Sequence, residues 1–286
     1  MKSIKIKPID SNQDIINLIK KEITSHDKIL IGAGAGLSAA GGLDYSSEGF
    51  FKTNYKAFYN KGYKTVTETI NDNWQLTESN AKKYWGFWSY HIYNMHHNVG
   101  ELKIYKHLYD LVKTKDYFVI TTNVDEQFYK SSFNPERVFS MQGSYGLFQC
   151  MNGCHRKVYD NKLSVIDMRE HFDEETLETS VVPKCPKCGG LMNVNLRIDS
   201  NFIENESYKN RKRYMDFLSH NDDKILLLEL GVGYNTPMII RHPFDDMVLN
   251  NKKISLVRVN KNLELYPYQV EDRVIYCSSD IRELLN

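Results

Sequence analysis

The apolar positions of this chain change period several times, and each change marks an element. Over residues 11–26, Ile15, Ile16, Leu18, Ile19 and Ile23 recur at helical spacing, and Ser11 with Asp14 resembles a capping box with Asp in the acidic slot. Residues 28–31 then read as a buried strand running into a turn rich in Gly and Ala. The helical period returns over residues 101–113, with Ile104, Leu108, Leu111 and Val112 facing inward, and a second strand follows at 117–121. Two late apolar runs, Ile225–Leu230 and Ile254–Val259, and a short one at 274–276 predict further strands; Ser279 or Asp280 is placed to cap a final helix. Apolar runs without alternation, interleaved with helices, mark a parallel sheet covered on both faces. The expected fold class is therefore α/β, a doubly wound parallel sheet, in which ligands sit beyond the carboxyl ends of the strands.

Two stretches break this rhythm. Residues 50–97 are crowded with aromatics, including Trp74, Trp85 and Trp88, and read as a helical insertion. Large rings usually end up buried, so it reads first as a small aromatic core, and second as a partial lining for a substrate groove. Residues 142–195 are turn-rich and hold four of the cysteines. The sheet-forming part is thus expected from 1–48, 98–145 and 196–286. A helical insertion at 49–97 and a cysteine ribbon at 146–195 would form a small domain.

Composition narrows the function more than the fold. The chain has 286 residues, 41% hydrophobic and 26% charged, an ordinary globular balance. Its 37 basic and 36 acidic residues leave a net charge of +1, so no basic field suggests nucleic acid as a partner. No run approaches the roughly 18 apolar residues of a membrane span, and residues 1–10 lack the apolar core of a signal peptide. The cytoplasm is the expected compartment, with no membrane partner. Five cysteines, an odd number without an export signal, argue against a disulfide framework.

Four of the five form two knuckles, Cys150-Met-Asn-Gly-Cys154 and Cys185-Pro-Lys-Cys188-Gly-Gly, separated by thirty residues. Four thiolates delivered in pairs by tight turns can surround a tetrahedral zinc ion. A closed set of Cys150, Cys154, Cys185 and Cys188 leaves no open coordination position, so the zinc would be structural. Cys277 stands alone at a strand end and reads as buried.

The turn after the first strand, Gly32-Ala33-Gly34-Ala35-Gly36-Leu37-Ser38-Ala39, satisfies a relaxed dinucleotide fingerprint through Gly34, Gly36 and Ala39. Its physical basis is close backbone approach to a pyrophosphate at a helix N-terminus. The acidic residue that usually follows the next strand is not evident, so this is not an ordinary dehydrogenase half.

The ordered set of segments resembles the sirtuin family over nearly the whole chain. Gly34-Ala35-Gly36-Leu37-Ser38 resembles its Gly-Ala-Gly-x-Ser opening, and Thr121-Thr122-Asn123-Val124-Asp125 its Thr-Gln-Asn-x-Asp segment. Gly231-Val232-Gly233 is similar to its Gly-Thr-Ser turn. Asn260 and Ser279-Asp280-Ile281 are similar to its late nucleotide-contacting segments, with the ribbon in the expected place. The resemblance implies a Rossmann-like large domain and a small domain, with NAD between them as co-substrate. The implied NAD contacts are Gly34, Ala35, Gly36, Ser38, Ala39, Asp44, Tyr45, Thr122, Asn123, Asp125, Gln142, Gly231, Val232, Gly233, Asn260, Asp280 and Ile281.

The departures from the family are informative. Where sirtuin deacylases carry a His-Gly pair, this chain has Gln142-Gly143, and an amide cannot act as general base near neutrality. His91, His96 or His97 could substitute for it. Where the usual opening reads Gly-Ile-Pro-Asp-Phe-Arg this chain has Gly42-Leu43-Asp44-Tyr45-Ser46-Ser47, so the Phe-Arg pair is lost, and Arg197 introduces a cation where deacylases carry Phe-Gly-Glu, unless Asp199 pairs with it at the surface. These features are similar to the macrodomain-linked sirtuins of microbes. That resemblance implies mono-ADP-ribosylation of a lipoylated glycine-cleavage-H-like carrier, with a macrodomain hydrolase as functional partner. Asn123, Asp125, Gln142 and Arg197 would carry the chemistry. A lysine deacylase, an NAD hydrolase and a non-catalytic NAD or ADP-ribose sensor are the alternatives.

Overall fold

A sheet whose strands are apolar on both faces must be covered twice, and here it is. The computed structural model describes residues 12–219, 223–261 and 273–285, so the expected Ser11 cap lies outside the described residues. Strands β1 (Lys28–Ala33), β2 (Asp116–Thr121), β3 (Val138–Ser140), β4 (Gly143–Cys150), β5 (Val158–Asp160), β6 (Phe172–Asp173), β7 (Glu178–Thr179), β8 (Met192–Leu196), β9 (Ile225–Leu230), β10 (Ile254–Val259) and β11 (Val274–Cys277) follow in chain order. Six of them form one parallel sheet in the order β11-β10-β9-β1-β2-β3. The order reverses between β1 and β9, which makes the carboxyl ends of these two strands the switch point where such sheets bind ligands.

Successive side chains of each strand feed opposite cores. Ile29 and Ile31 of β1 join Val119, Leu226 and Leu228 beneath the helices Asn12–Ser25, Lys103–Val112 and Ile281–Leu285. Leu30 joins Phe118, Ile120, Leu227 and Leu256 on the other face, under Tyr214 and Phe217 of helix Arg211–Leu218 and Phe244 and Val248 of helix Arg241–Asn250. Asp280 rather than Ser279 caps the last helix, its Oδ1 accepting from the Arg282 amide at 2.9 Å.

The aromatic insertion and the cysteine ribbon share a third core. Phe51, Tyr55, Phe58, Trp85 and Phe87 pack with Phe148, Leu191, Met192 and Val194, the last four from the ribbon segment. Helix Ala81–Ile92 lies so close to the chain leading into β7 that a Cβ on Gly86 would sit 2.1 Å from the Leu177 carbonyl. It runs on into a π-helical turn at Tyr93–His97, a local unwinding common near functional sites.

One buried feature interrupts the apolar sheet. Glu229 and Arg258 face each other in the β9–β10 register, and the Arg258 guanidinium donates to Glu229 Oε2 at 2.7 Å and Asp245 Oδ1 at 2.9 Å. Arg241 lies 3.5 Å from Glu229 Oε1, so two cations neutralise two anions inside the protein. Such clusters are weak sources of stability while intact and costly to break. Arg258→Met, which strands Asp245 and leaves Glu229 only the more distant Arg241, should lower unfolding free energy by about 3–5 kcal/mol. Denaturant midpoints at unchanged slope test this, and a loss below about 1 kcal/mol would mean that water screens the cluster in solution.

Candidate active site

Two glycine turns meet at the switch point. After β1 the chain passes Gly34 into the short helix Ala35–Ala40, and after β9 it turns at Gly231 with φ +62°. The Gly34 amide donates to the Leu230 carbonyl and the Gly36 amide to the Gly231 carbonyl, both at 3.0 Å. A Cβ on Gly34 would lie 2.6 Å from the Gly231 oxygen, and one on Gly36 2.7 Å from the Gly231 Cα. A Cβ on Gly231 would lie 2.5 Å from the Gly36 carbonyl carbon. The glycines are therefore demanded by the packing of one backbone on another. The amides of Gly34 and Gly36 are engaged within the protein.

A cleft of about 760 Å³ opens above this contact. From the sheet it is lined by Ala35, Thr122, Asn123, Asp125, Val232 and Gly233, and from the other side by Tyr45, Trp88, Gln142, Tyr145 and Arg197. Thus nine residues expected from the sequence line one cavity: Ala35, Tyr45, Thr122, Asn123, Asp125, Gln142, Arg197, Val232 and Gly233. Trp74, exposed at the mouth, and Ile70 continue the wall.

The polar end of the cleft is a connected network. Asp125 is buried; its Oδ2 accepts from Ser38 Oγ and its Oδ1 from the Gln127 amide at 3.1 Å. Ser38 in turn lies 2.7 Å from the Tyr105 hydroxyl. The Asn123 Nδ2 is shared among the Gly34 carbonyl (3.0 Å), Tyr105 Oη (3.0 Å) and Ser38 Oγ (3.2 Å). Its two protons are spent inside the protein, which leaves Oδ1 as the ligand-facing end. Burial raises the Asp125 pKa, opposed by the donors Ser38 and Gln127 and by the Lys130 charge. Ser38 is thus a support beneath the site and does not line it.

Gln142 sits on a turn that only glycine can close. Gly143 has φ +103°, and a Cβ there would lie 2.0 Å from the Asn195 carbonyl. The Gln142 carbonyl accepts from the Arg197 amide at 3.0 Å, so these two residues enter the cleft side by side. Arg197 is exposed and makes no ion pair with Asp199, whose Oδ1 accepts from the Asn201 amide instead. Among the described residues no histidine lines the cleft. His91 is sealed in the aromatic core beside Tyr55 (2.9 Å), and its pKa is lowered to about 3 by burial. His96 bonds the Asp125 carbonyl at 3.0 Å and is lowered to about 4, first by burial and then by Lys130. His97 bonds Asn161 at 2.7 Å. None of the three substitutes for the missing base.

No protein-family model matches the chain. It is 32% identical over 284 residues to a protein ADP-ribosyltransferase of Staphylococcus aureus (strain Mu50 / ATCC 700699), covering 97% of this chain and 88% of that protein. The chain belongs to the NAD-dependent protein ADP-ribosyltransferases. A probable bifunctional ADP-ribose hydrolase/ADP-ribosyltransferase of Fusarium oxysporum f. sp. cubense is 32% identical over 279 residues, covering 93% of this chain and 46% of that protein. Among solved structures, a Sir2 homologue in complex with NAD matches with a TM-score of 0.59 at 15% identity, over 94% of this chain and 90% of that one. A Sir2 enzyme structure matches at 0.56 and 17%, over 96% and 95%. The transferase therefore has the sirtuin fold.

The transferase also brings the expected thiols together. Cys150 and Cys188 sulfurs lie 3.6 Å apart, and those of Cys154 and Cys185 3.7 Å. A tetrahedron with Zn–S bonds of about 2.3 Å has edges of about 3.8 Å, so both spacings suit a structural zinc ion; the donors that all lie within 4.8 Å of one another are Cys150, Cys154, Cys185 and His155, and Cys188 reaches them through Cys150. Gly153 (φ +59°) and Gly189 (φ +72°) supply the left-handed turns of the two knuckles. His155, absent from the sequence-based set, adds a fifth donor: its Nδ1 is 2.9 Å from Cys154 Sγ and its Nε2 2.7 Å from Tyr159 Oη. Cys277 is buried, as expected.

Other expected residues lie off the cleft. Ala39 is inside the short helix, Asp44 binds the amide and hydroxyl of Ser46, and Asp280 pairs with Arg282. Ile281 packs in the core, and Asn260 donates to the Val232 carbonyl at 3.0 Å, bracing the turn from behind. Conversely, the sequence alone did not single out Ile70, Tyr145, Leu196, Ile198, Asn235 or Thr236, which line it.

Two measurements follow from this geometry. Cys150→Ser should lose bound zinc and thermal stability together, since metal binding and folding are coupled, and metal content read beside the melting midpoint checks this. His91 and His96 stay neutral when folded, whereas unfolded histidine takes a proton near pH 6.5. The unfolded chain then binds more protons below that pH, so stability should fall as pH drops from about 6.5 toward 4. A melting midpoint that is flat from pH 7 to 5 would contradict neutral burial.

Proposed function

We propose that the cleft holds NAD with its nicotinamide ribose beside Asn123 and Asp125, and transfers ADP-ribose to a carboxylate of a protein acceptor with release of nicotinamide. The observation that carries this reading is the cleft's combination of a buried carboxylate and an arginine with no lining histidine among the described residues. The pyridinium is a charged leaving group, so its departure places positive charge on the ribose. Asp125, held by Ser38 and Gln127, is positioned to stabilise that charge. Asn123 Oδ1 accepts from the carboxamide or a ribose hydroxyl, Gln142 holds the ribose hydroxyls, and Arg197 orients the acceptor or the cofactor. A carboxylate brings no proton to remove, so the missing base costs nothing. A lysine deacylase, which needs that base, is disfavoured on the same ground.

The acceptor proposed is a lipoylated glycine-cleavage-H-like carrier, from the resemblance to macrodomain-linked sirtuins. The apolar wall of Ile70, Trp74, Trp88, Leu196 and Ile198 suits the hydrocarbon part of such an arm. The Fusarium relative's name pairs a hydrolase with a transferase, which supports a macrodomain hydrolase as the partner that reverses the mark. No described helix is long and apolar enough to cross a membrane.

Labelled NAD incubated with lipoylated and unmodified carrier tests the proposal. Label should appear on the lipoylated protein and be released by neutral hydroxylamine, as an ester is. Asp125→Asn should slow transfer by about 10²–10³-fold and Gln142→Ala by about tenfold. Nicotinamide released at the full rate without acceptor would instead identify a hydrolase. Robust deacylation of an acyl-lysine peptide would falsify the assignment.

A further inference from the structure

We infer that the paired hydroxyls of Tyr145 and Tyr45 hold the acceptor carboxylate, and so bias ADP-ribose toward protein and away from water. This rests on the transfer to a carboxylate proposed above, and it assigns a positioning role to a residue that the sequence reading did not use.

Tyr145 is fixed at the inner end of the cleft. Its amide donates to the Val124 carbonyl at 2.8 Å, which pins it beside the Asn123–Asp125 turn, and its carbonyl accepts from Asn161 Nδ2 at 2.8 Å. Its ring stands edge-on to His91 at 4.9 Å. Tyr45 approaches from the loop after the glycine turn, also edge-on to His91 at 5.6 Å, and donates to Tyr145 Oη at 3.1 Å. His91 therefore buttresses both rings from behind, and both line the cleft.

The proton count of this pair is unequal. Two hydroxyls carry two protons, one is spent between them, and among the described residues no other group accepts the second. A donor is thus left over at a cavity wall. Thr67, Asn71 and Trp74 also line the cavity but are exposed, whereas Tyr145 is buried at the depth of Asn123 and Asp125. Burial and the nearby Asp125 charge both discourage ionisation of Tyr145, so its proton stays in place across the working pH range.

The field that keeps the phenol protonated also opposes the acceptor. A carboxylate reaching the ribose must approach the negative charge of Asp125, whereas water meets no such repulsion. A fixed hydroxyl donor, with Arg197 on the rim, offsets that repulsion for the carboxylate. The step itself balances without it. The ribose C1′–nitrogen bond breaks with its electron pair going to nicotinamide, a carboxylate lone pair forms the new C1′–oxygen bond, and no proton moves. Tyr145 therefore acts on the position of the acceptor and not on the bond chemistry.

The test compares wild type, Tyr145→Phe and Tyr45→Phe with labelled NAD and lipoylated carrier. It records label on the carrier and nicotinamide released without carrier. Tyr145→Phe keeps the ring contacts, and a matching melting midpoint verifies its fold. It should lower the ratio of transfer to hydrolysis by roughly 10–100-fold, the factor for losing one hydrogen bond to a charged group, chiefly through a higher KM for carrier. That ratio should hold steady from pH 6 to 9. Tyr45→Phe, which leaves Tyr145 its own proton, should change the ratio less. An equal loss in both rates would assign the hydroxyl to NAD, and an unchanged ratio would remove it from the acceptor site; either overturns the inference. Absence of label with wild type would instead overturn the transfer reading itself.

Discussion

The site depends on a backbone contact that admits no side chain. Gly34 and Gly36 on one turn and Gly231 on the other approach so closely that a single Cβ on any of them would meet backbone atoms at 2.5–2.7 Å. Other groups then tie the neighbouring strand ends to this contact. Asn123, just beyond β2, donates to the Gly34 carbonyl, while Asn260, just beyond β10, and Arg241 both donate to the Val232 carbonyl. The ends of four parallel strands are in this way linked into one rigid floor. Preorganisation of this kind lets a fixed carboxylate act on a developing charge without reorganising as it forms.

The electrostatic character of the cleft follows from what stands on that floor. Asp125 faces burial without a cation bonded to it; its partners are a hydroxyl and a backbone amide. The histidines of the π-helical turn and the helix before it are turned away into packing and structural bonds. The cleft therefore offers charge stabilisation and hydrogen bonding but little proton transfer. On the proposed reading, acceptors that arrive already ionised fit it better than those that must first be deprotonated.

Much of this was legible in the sequence, for identifiable reasons. Central parallel strands are apolar on both faces, so β1, β2, β9 and β10 stood out as solid runs. β3, three residues long, gave no such signal. Asn123, Asp125, Gln142 and the glycines could be placed because strand-end turns carry their chemistry in consecutive residues. Of the far wall only a partial lining by the aromatic insertion was foreseen, and Trp74 and Trp88 supply it; Tyr145 and Leu196 could not be placed, since they meet Ile70 and Trp88 only through tertiary packing of the insertion on the ribbon. The glycine turn was recognised, but the Gly231 turn packed against it was not foreseen, because a close approach looks the same in sequence whatever lies against it. Glu229 passed unremarked within the apolar run Ile225–Leu230, because its partner is visible only in the register that sets it against Arg258.

Strand β4 joins two places that look unrelated in the chain. It begins at Gly143, next to Gln142 in the cleft, and ends at Cys150 in the metal cluster, with β8 running back from the ribbon to Leu196 beside Arg197. At about 3.4 Å per residue these strands work as short struts between the two. The cysteine cluster is thus the far anchor of the Gln142–Arg197 side of the cleft, while the Asn123–Asp125 side is anchored in the large sheet. Loss of a zinc ion from this cluster by chelation or thiol oxidation would act on the two sides unequally, loosening the Gln142–Arg197 side while the glycine contact on the sheet side stands. The ribbon is in that sense a tether for one wall of the cleft.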